Sequence, residues 1–286
     1  MSDDEPEPGG TERATSTGAR APRRAARRWW GAAAVLVVAV GGSLLLRSWG
    51  DAGADPLPAG TQAHTSMLPS APASTPAAEP LFDQAGLAPL FVTAAEVEAT
   101  LPGAAGGVVQ EVRSGELAWG LGEGRSVSPE GCTLAATVVA DSPPGFDARA
   151  WGNGTVTFAE QAVLLPSVEA AVQAFRTLVA TVDACPAYDV VGPDASMTGV
   201  VASPATEAQG IYPSLVQQTR QTTGADVVLA LHGHVLVENV ILTWTADAGP
   251  GADDQQLRDR LGAGEDIDTM VQEQARSAVA ALHGDG

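Results

Sequence analysis

Hydrophobic and polar residues are arranged in three ways along the chain. Trp29 to Leu46, WWGAAAVLVVAVGGSLLL, is an uncharged run of 18 residues, and at about 1.5 Å per residue a helix of that length comes close to the hydrocarbon thickness of a bilayer. Residues 1–28 and 50–80 show no period and are rich in Pro, Gly, Ala, Ser, Thr and charge. From about Leu87 the pattern becomes that of a folded domain, with segments of period 2 and of period 3.6 punctuated by Gly, Pro and Asn.

Within the domain, Thr93-Ala-Ala-Glu96 is a capping box ahead of Val97 and Leu101 and predicts a short helix. Val108 to Val112 alternates as a strand does. A loop rich in Gly and Glu then leads through Trp119 to Cys132, and Thr133 to Ala140 is both β-branched and alanine-rich, which fits either state. Ala150 to Leu165 reads as sheet around the turn signal Asn153-Gly154. Ser167 caps a helix whose Val168, Ala171, Val172, Phe175, Leu178, Val179 and Val182 share one face and which ends near Cys185-Pro186. Met197 to Val201, Leu215 to Gln221, Val227 to Leu231 and Val235 to Trp244 are further strands, the last two joined as a hairpin around Gly233. A final helix carries Ile267, Met270, Val271, Ala275, Ala278, Val279 and Leu282 on one face. Strands mostly follow one another without helical crossovers, so the expected class is α+β: a mainly antiparallel sheet packed with helices, preceded by one transmembrane helix.

Charge gives the apolar run its direction. Arg20, Arg23, Arg24, Arg27 and Arg28 precede it and Arg47 follows it, with Trp29, Trp30 and Trp49 at its two ends, which puts the N-terminus in the cytoplasm. The expected organisation is a disordered cytoplasmic tail over 1–28, a transmembrane helix over 29–46, a Pro/Ala/Ser-rich linker over 47–86 and an extracytoplasmic domain over 87–286. The competing reading is a cleaved signal peptide, because Ala52-Gly53-Ala54 offers the small-x-small pattern of a cleavage site. Net charge is −19, and all 15 basic residues are arginine. Seven arginines face five acids in the first 47 residues, leaving eight against 29 in the remainder. Such a domain repels phosphate, which excludes a nucleic-acid partner.

The order of parts Ser128-Pro129-Glu130-Gly131-Cys132, Gln161 to Ser167, the helix ending at Cys185 and Asn239-Val240-Ile241 resembles the PknH-like extracellular domain family over about residues 87 to 282. That family comprises exterior sensor-like domains of mycobacterial serine/threonine kinases and of other actinobacterial membrane proteins and lipoproteins. The resemblance implies an α+β domain with a large cleft for an unidentified ligand. Kinase members carry a second disulfide, whereas Cys132 and Cys185 are the two cysteines of this chain. In an oxidising compartment they are expected to pair. No kinase motif precedes the span, so any signalling output needs a partner.

The remaining chemistry is sparse. His232-Gly233-His234, with Glu238, has the spacing of metal ligands on a strand, but a turn at Gly233 would break the shared face, so no metal is expected. Gly120-Leu-Gly122-Glu-Gly124-Arg125 lacks the lysine of a phosphate loop. Asp253-Asp254 and Glu265-Asp266 fit helix caps better than acid/base pairs, and the sequon Asn153-Gly-Thr155 is accounted for by the turn. Arg149, Trp151 and Trp244 are the candidates for ligand contact, a fixed cation with two indoles. With no hydrolase, zincin or nucleotide signature and no cofactor expected, the chain reads as a non-catalytic, membrane-anchored sensor-like domain of the cell envelope that meets an envelope ligand or protein. A structural or partner-recruiting role is the first alternative and an unrecognised hydrolase the second. Intact-mass analysis of the membrane-extracted protein should find the residues ahead of Asp55 retained; a mature chain beginning at Asp55 would establish cleavage.

Overall fold

The computed structural model describes residues 81–284. The expected tail, the span Trp29–Leu46 and the linker up to residue 80 lie outside the described residues. Among the described residues no helix is long and apolar enough to cross a membrane.

A ten-stranded antiparallel sheet runs through the domain in the order β1-β3-β4-β10-β9-β8-β6-β5-β2, with β7 paired to β8 off this path. The strands are β1 (Val109–Val112), β2 (Ser126–Ser128), β3 (Gly145–Gly152), β4 (Thr157–Leu164), β5 (Ala187–Val191), β6 (Met197–Ala202), β7 (Thr206–Gln209), β8 (Pro213–Thr223), β9 (Asp226–Val237) and β10 (Val240–Pro250). Five α-helices accompany them: α1 (Ala94–Thr100), α2 (Thr133–Thr137), α3 (Val168–Ala184), α4 (Asp254–Leu261) and α5 (Gly264–His283). Period-2 patterning sends adjacent residues to opposite faces. Leu242 and Trp244 thus enter a core with α1, α4, α5 and the 3-10 helix Ala85–Leu90, while Ile241 and Val163 enter a second core with α2 and α3. The α+β class holds.

Helix starts follow their caps. Thr93 and Glu96 form the capping box of α1, Ser167 caps α3 through Ala170 N–H, and Asp253 forms a capping box with Gln256 at α4. The ambiguous Thr133 to Ala140 stretch begins as α2 and stops at Val138, whose φ is 67°. Asn153 makes the β3–β4 turn: its Oδ1 accepts from Thr155 and Val156 N–H, and its Nδ2 donates to Gly103 and Gly107 carbonyls. Cys132 and Cys185 are joined with a Cα–Cα distance of 5.7 Å, tying the C-cap of α3 to the start of α2. Packing begins ahead of Leu87. Phe82 is buried, and its backbone N–H and C=O both bond the side chain of Asn239 in the β9–β10 turn.

The expected hairpin at Gly233 does not form. β9 runs straight through that glycine, with His232, Gly233 and His234 opposite Thr245, Trp244 and Thr243 of β10, and the turn falls instead at Glu238-Asn239, where Glu238 has φ 48°. The physical reason is close approach: the Trp244 ring lies over Gly233, where a Cβ would meet ring atoms at 2.4 to 2.5 Å. A glycine required by a neighbouring ring reads, in the sequence, like one required by a turn. Gly233→Ala should therefore cost about 3 kcal/mol in urea unfolding, at the upper end of overpacking penalties; a change under about 0.5 kcal/mol would show that the ring is not confined there.

Candidate functional site

The β7–β8 hairpin folds against the first half of α5 and leaves a cavity of about 310 Å³ between them. The hairpin contributes Thr206, Ala208, Gly210, Ile211 and Val216, and α5 contributes Glu265, Asp268, Thr269, Gln272 and Glu273. Helical spacing explains the second set, since positions 265, 268, 269, 272 and 273 fall on one face. Asp268 and Gln272 are buried at its floor. The carboxylate of Asp268 accepts from Ser214 Oγ at 2.7 Å and Gln272 Nε2 at 2.6 Å through one oxygen, and from Trp244 Nε1 at 3.1 Å through the other. Gln272 Oε1 in turn accepts from Tyr212 N–H at 2.9 Å. Burial raises the Asp268 pKa, while the three side-chain donors oppose the rise by favouring the ionised form. Gly210 permits this closure, because a Cβ there would stand 2.6 Å from Gln272 Oε1.

A second depression, of about 300 Å³, lies over β5 and β6 and includes Ser128, Pro129, Tyr188 and Asp189. Two exposed apolar residues of β6 stand beside it or in it, Met197 at 56% and Val201 at 53% exposure.

None of the three residues expected to touch ligand lines either cavity. Arg149 and Trp151 do share a face of β3, the face of the α1 and α5 core. Arg149 is half-buried, with Cζ 4.6 Å from the centroid of the Phe91 ring. Trp151 is buried and packs at 6.1 Å on Phe158. Trp244 is fully buried and is linked to the first cavity through its hydrogen bond to Asp268.

The register partner of Arg149 is Glu160 of β4. Glu160 is fully buried, its Oε2 accepts from Val92 N–H at 3.0 Å, and burial pushes its pKa up to about 8 against the weaker pull of that hydrogen bond and of Arg149. Sequence reasoning missed both Glu160 and Asp268. The signal was present: Glu160 interrupts the inward set Phe158, Ala162 and Leu164, and Asp268 sits beside Ile267 within the apolar stripe of α5.

Because β9 is uninterrupted, His232 and His234 do share a face, contrary to the expected break. Their Nε2 atoms are 3.0 Å apart, and their Nδ1 atoms lie 2.8 Å from Thr245 Oγ1 and 2.9 Å from Thr243 Oγ1. Two neutral rings with one proton between the Nε2 atoms complete a hydrogen-bonded row from Thr245 to Thr243. Both rings are fully buried, which pushes His234 down to about 3 and His232 well below its ordinary value, the latter also through repulsion from His234. Glu238 lies in the β9–β10 turn, and among the described residues no group of three His, Cys, Asp or Glu side chains could hold a metal. The row fastens β9 to β10.

Fold and site together define an α+β domain in which helices cover both faces of one antiparallel sheet and a small cavity opens beside the last helix. No family model matches the sequence, and no curated protein does. Solved structures of similar fold include the following two. The extracellular domain of PknH from Mycobacterium tuberculosis shares 15% identity over 69% of this chain and 98% of its own, with a TM-score of 0.48. A putative uncharacterized protein of Mycobacterium smegmatis, the Rv0999 ortholog, shares 15% identity over 62% and 86%, with a TM-score of 0.31. Neither likeness makes the chain a member of a family.

The buried acid sets a pH dependence. Glu160 holds its proton up to about pH 8 in the folded state, against an ordinary value of 4.5. The folded chain therefore binds the extra proton between these values, so stability is fully present below pH 4.5 and is lost as pH rises through 8. Between pH 4 and 9 this contribution amounts to about 4–5 kcal/mol. Glu160→Gln removes it, so the variant should gain on wild type by roughly that amount from pH 4 to pH 9 in denaturant unfolding; parallel pH profiles would show that Glu160 is ionised throughout.

Proposed function

We propose that the chain is a non-catalytic, membrane-anchored domain of the cell envelope that binds a small ligand between α5 and the β7–β8 hairpin. The observation that carries this reading is the floor of that cavity. Asp268 is fixed by donors from β8, β10 and α5 before any ligand arrives, and a recognition site needs such preorganisation. Ala208, Ile211 and Val216 offer apolar walls while Thr206, Thr269 and Glu265 offer polar edges, which suits a compact ligand with an apolar body and hydrogen-bond donors or a positive charge. Trp244 serves the site from beneath as the anchor of Asp268. Arg149 and Trp151 act on the neighbouring β3 face, at the segment that links the domain to the preceding chain.

The extracytoplasmic setting is supported by the Cys132–Cys185 disulfide, which belongs to an oxidising compartment, and by the apolar run Trp29 to Leu46 with arginines on its N-terminal side. The net charge of −19 argues against nucleic acid as the partner. A partner-recruiting role has one observation in its favour, the exposed Met197 and Val201.

Thr269 is exposed on the cavity wall, so Thr269→Trp fills the site without entering the core. Mass spectrometry of small molecules co-purifying with the detergent-extracted full chain should identify a compound that the variant loses by about tenfold or more, with the melting temperature unchanged. A compound retained equally by both proteins would place the ligand elsewhere, and its chemical conversion during storage would overturn the non-catalytic reading.

A further inference from the structure

Two buried polar atoms are left unpaired on neighbouring strands of the α1 face. Arg149 of β3 and Glu160 of β4 stand directly opposite each other in register. Among the described residues, Glu160 Oε1 and Arg149 Nε have no hydrogen-bond partner, yet the two side chains form no ion pair. A carboxylate and a guanidinium placed side by side would ordinarily satisfy one another. Here Glu160 is turned to Val92 N–H and Arg149 to the ring of Phe91. Phe91 and Val92 join the 3-10 helix Ala85–Leu90 to α1, in the first packed stretch of the described chain.

We propose that Arg149 is a two-position latch on this N-terminal segment, stacked on Phe91 while Glu160 is protonated and paired with Glu160 once that carboxyl ionises. A protonated carboxyl exerts little pull on a guanidinium, so the ring face is the better partner. An ionised Glu160 is a buried charge with one donor, Val92 N–H, and such a charge is costly until a cation meets it. Arg149 can answer because it is half-buried and long enough to turn within its own strand neighbourhood. The other charge acting on Glu160 is Glu96 of α1, which opposes ionisation. On β10 the register neighbour is Trp244, which is uncharged and already committed to Asp268. Burial places the Glu160 titration at about 8, so the exchange falls at the alkaline edge of the neutral range.

The latch can be read with 4-fluorophenylalanine at position 91 of the full chain in detergent micelles, following its fluorine resonance from pH 6 to 9.5. The expected result is a single sigmoidal shift with a midpoint near 8, absent in both Glu160→Gln and Arg149→Gln. A resonance that stays constant in the wild type overturns the latch. So does a shift that survives unchanged in Arg149→Gln, because the ring would then be sensing the charge of Glu160 and not a departing guanidinium. If either variant fails to fold, the Arg149 Nε–H resonance of the wild type is followed instead: it should move downfield with the same midpoint as the fluorine shift, and a constant position overturns the latch.

Discussion

The contact between Trp244 and Gly233 is the constraint on which most of the architecture depends. A fully buried tryptophan removes about 200 Å² from water, an upper estimate of about 5 kcal/mol. That gain is available here because the neighbouring strand presents no side chain, so the ring can lie down on the backbone. The indole N–H then points to α5 and meets Asp268. One packing event thereby keeps β9 straight, sets the height of α5 over the sheet and orients the carboxylate at the cavity floor. It also fixes the register in which His232 and His234 face Thr245 and Thr243 on the opposite side.

The buried polar groups differ in how they are answered. Asn239 substitutes for a strand neighbour, bonding both backbone groups of Phe82 and the carbonyl of Leu165. The histidine row satisfies itself with threonine hydroxyls and needs no charge. Asp268 is met by neutral donors from three elements. Glu160 is the exception, with one donor for two oxygens. In a low-dielectric core such a deficit is costly and is met by protonation. Burial raises both carboxyls, and Asp268 has three side-chain donors to oppose the rise where Glu160 has one backbone donor.

Local rules in the sequence carried the helices well. Thr93, Ser167 and Asp253 cap where their side chains allow, and the apolar stripes of α3 and α5 are the faces that became buried. The longer strands followed from alternation and β-branching, but β2, β5 and β7 are too short, or too polar on one face, to rise above their loops. The hairpin at Gly233 was misplaced because a glycine does not announce whether it serves a turn or a ring lying above it. The cavity was invisible for a related reason. It is made by β7 doubling back on β8 beside a helix about 50 residues further along, and nothing local in Thr206 or Asp268 records that meeting. Tryptophans and an arginine drew attention by their chemistry, whereas Glu160 and Asp268, whose environments are perturbed, were hidden within apolar patterns.

The way these groups are engaged also bears on the choice between binding and turnover. A nucleophile needs a proton acceptor that is free to change state beside the substrate. Ser214 already gives its proton to Asp268, and both oxygens of that carboxylate are occupied. The two imidazoles that could act as bases are sealed from solvent and bonded to buried threonines. What remains uncommitted lies at the cavity edge, in the side chains of Thr206 and Glu265, whereas the Thr269 hydroxyl donates to the Glu265 carbonyl at 2.8 Å. The wall opposite α5 is also the least constrained part of the sheet, since β7 is four residues long and pairs with β8 alone. Movement of that wall would break few hydrogen bonds, while the floor stays fixed by Trp244 and the sheet beneath it. On the proposed reading, a rigid floor under an adjustable wall selects a ligand by shape.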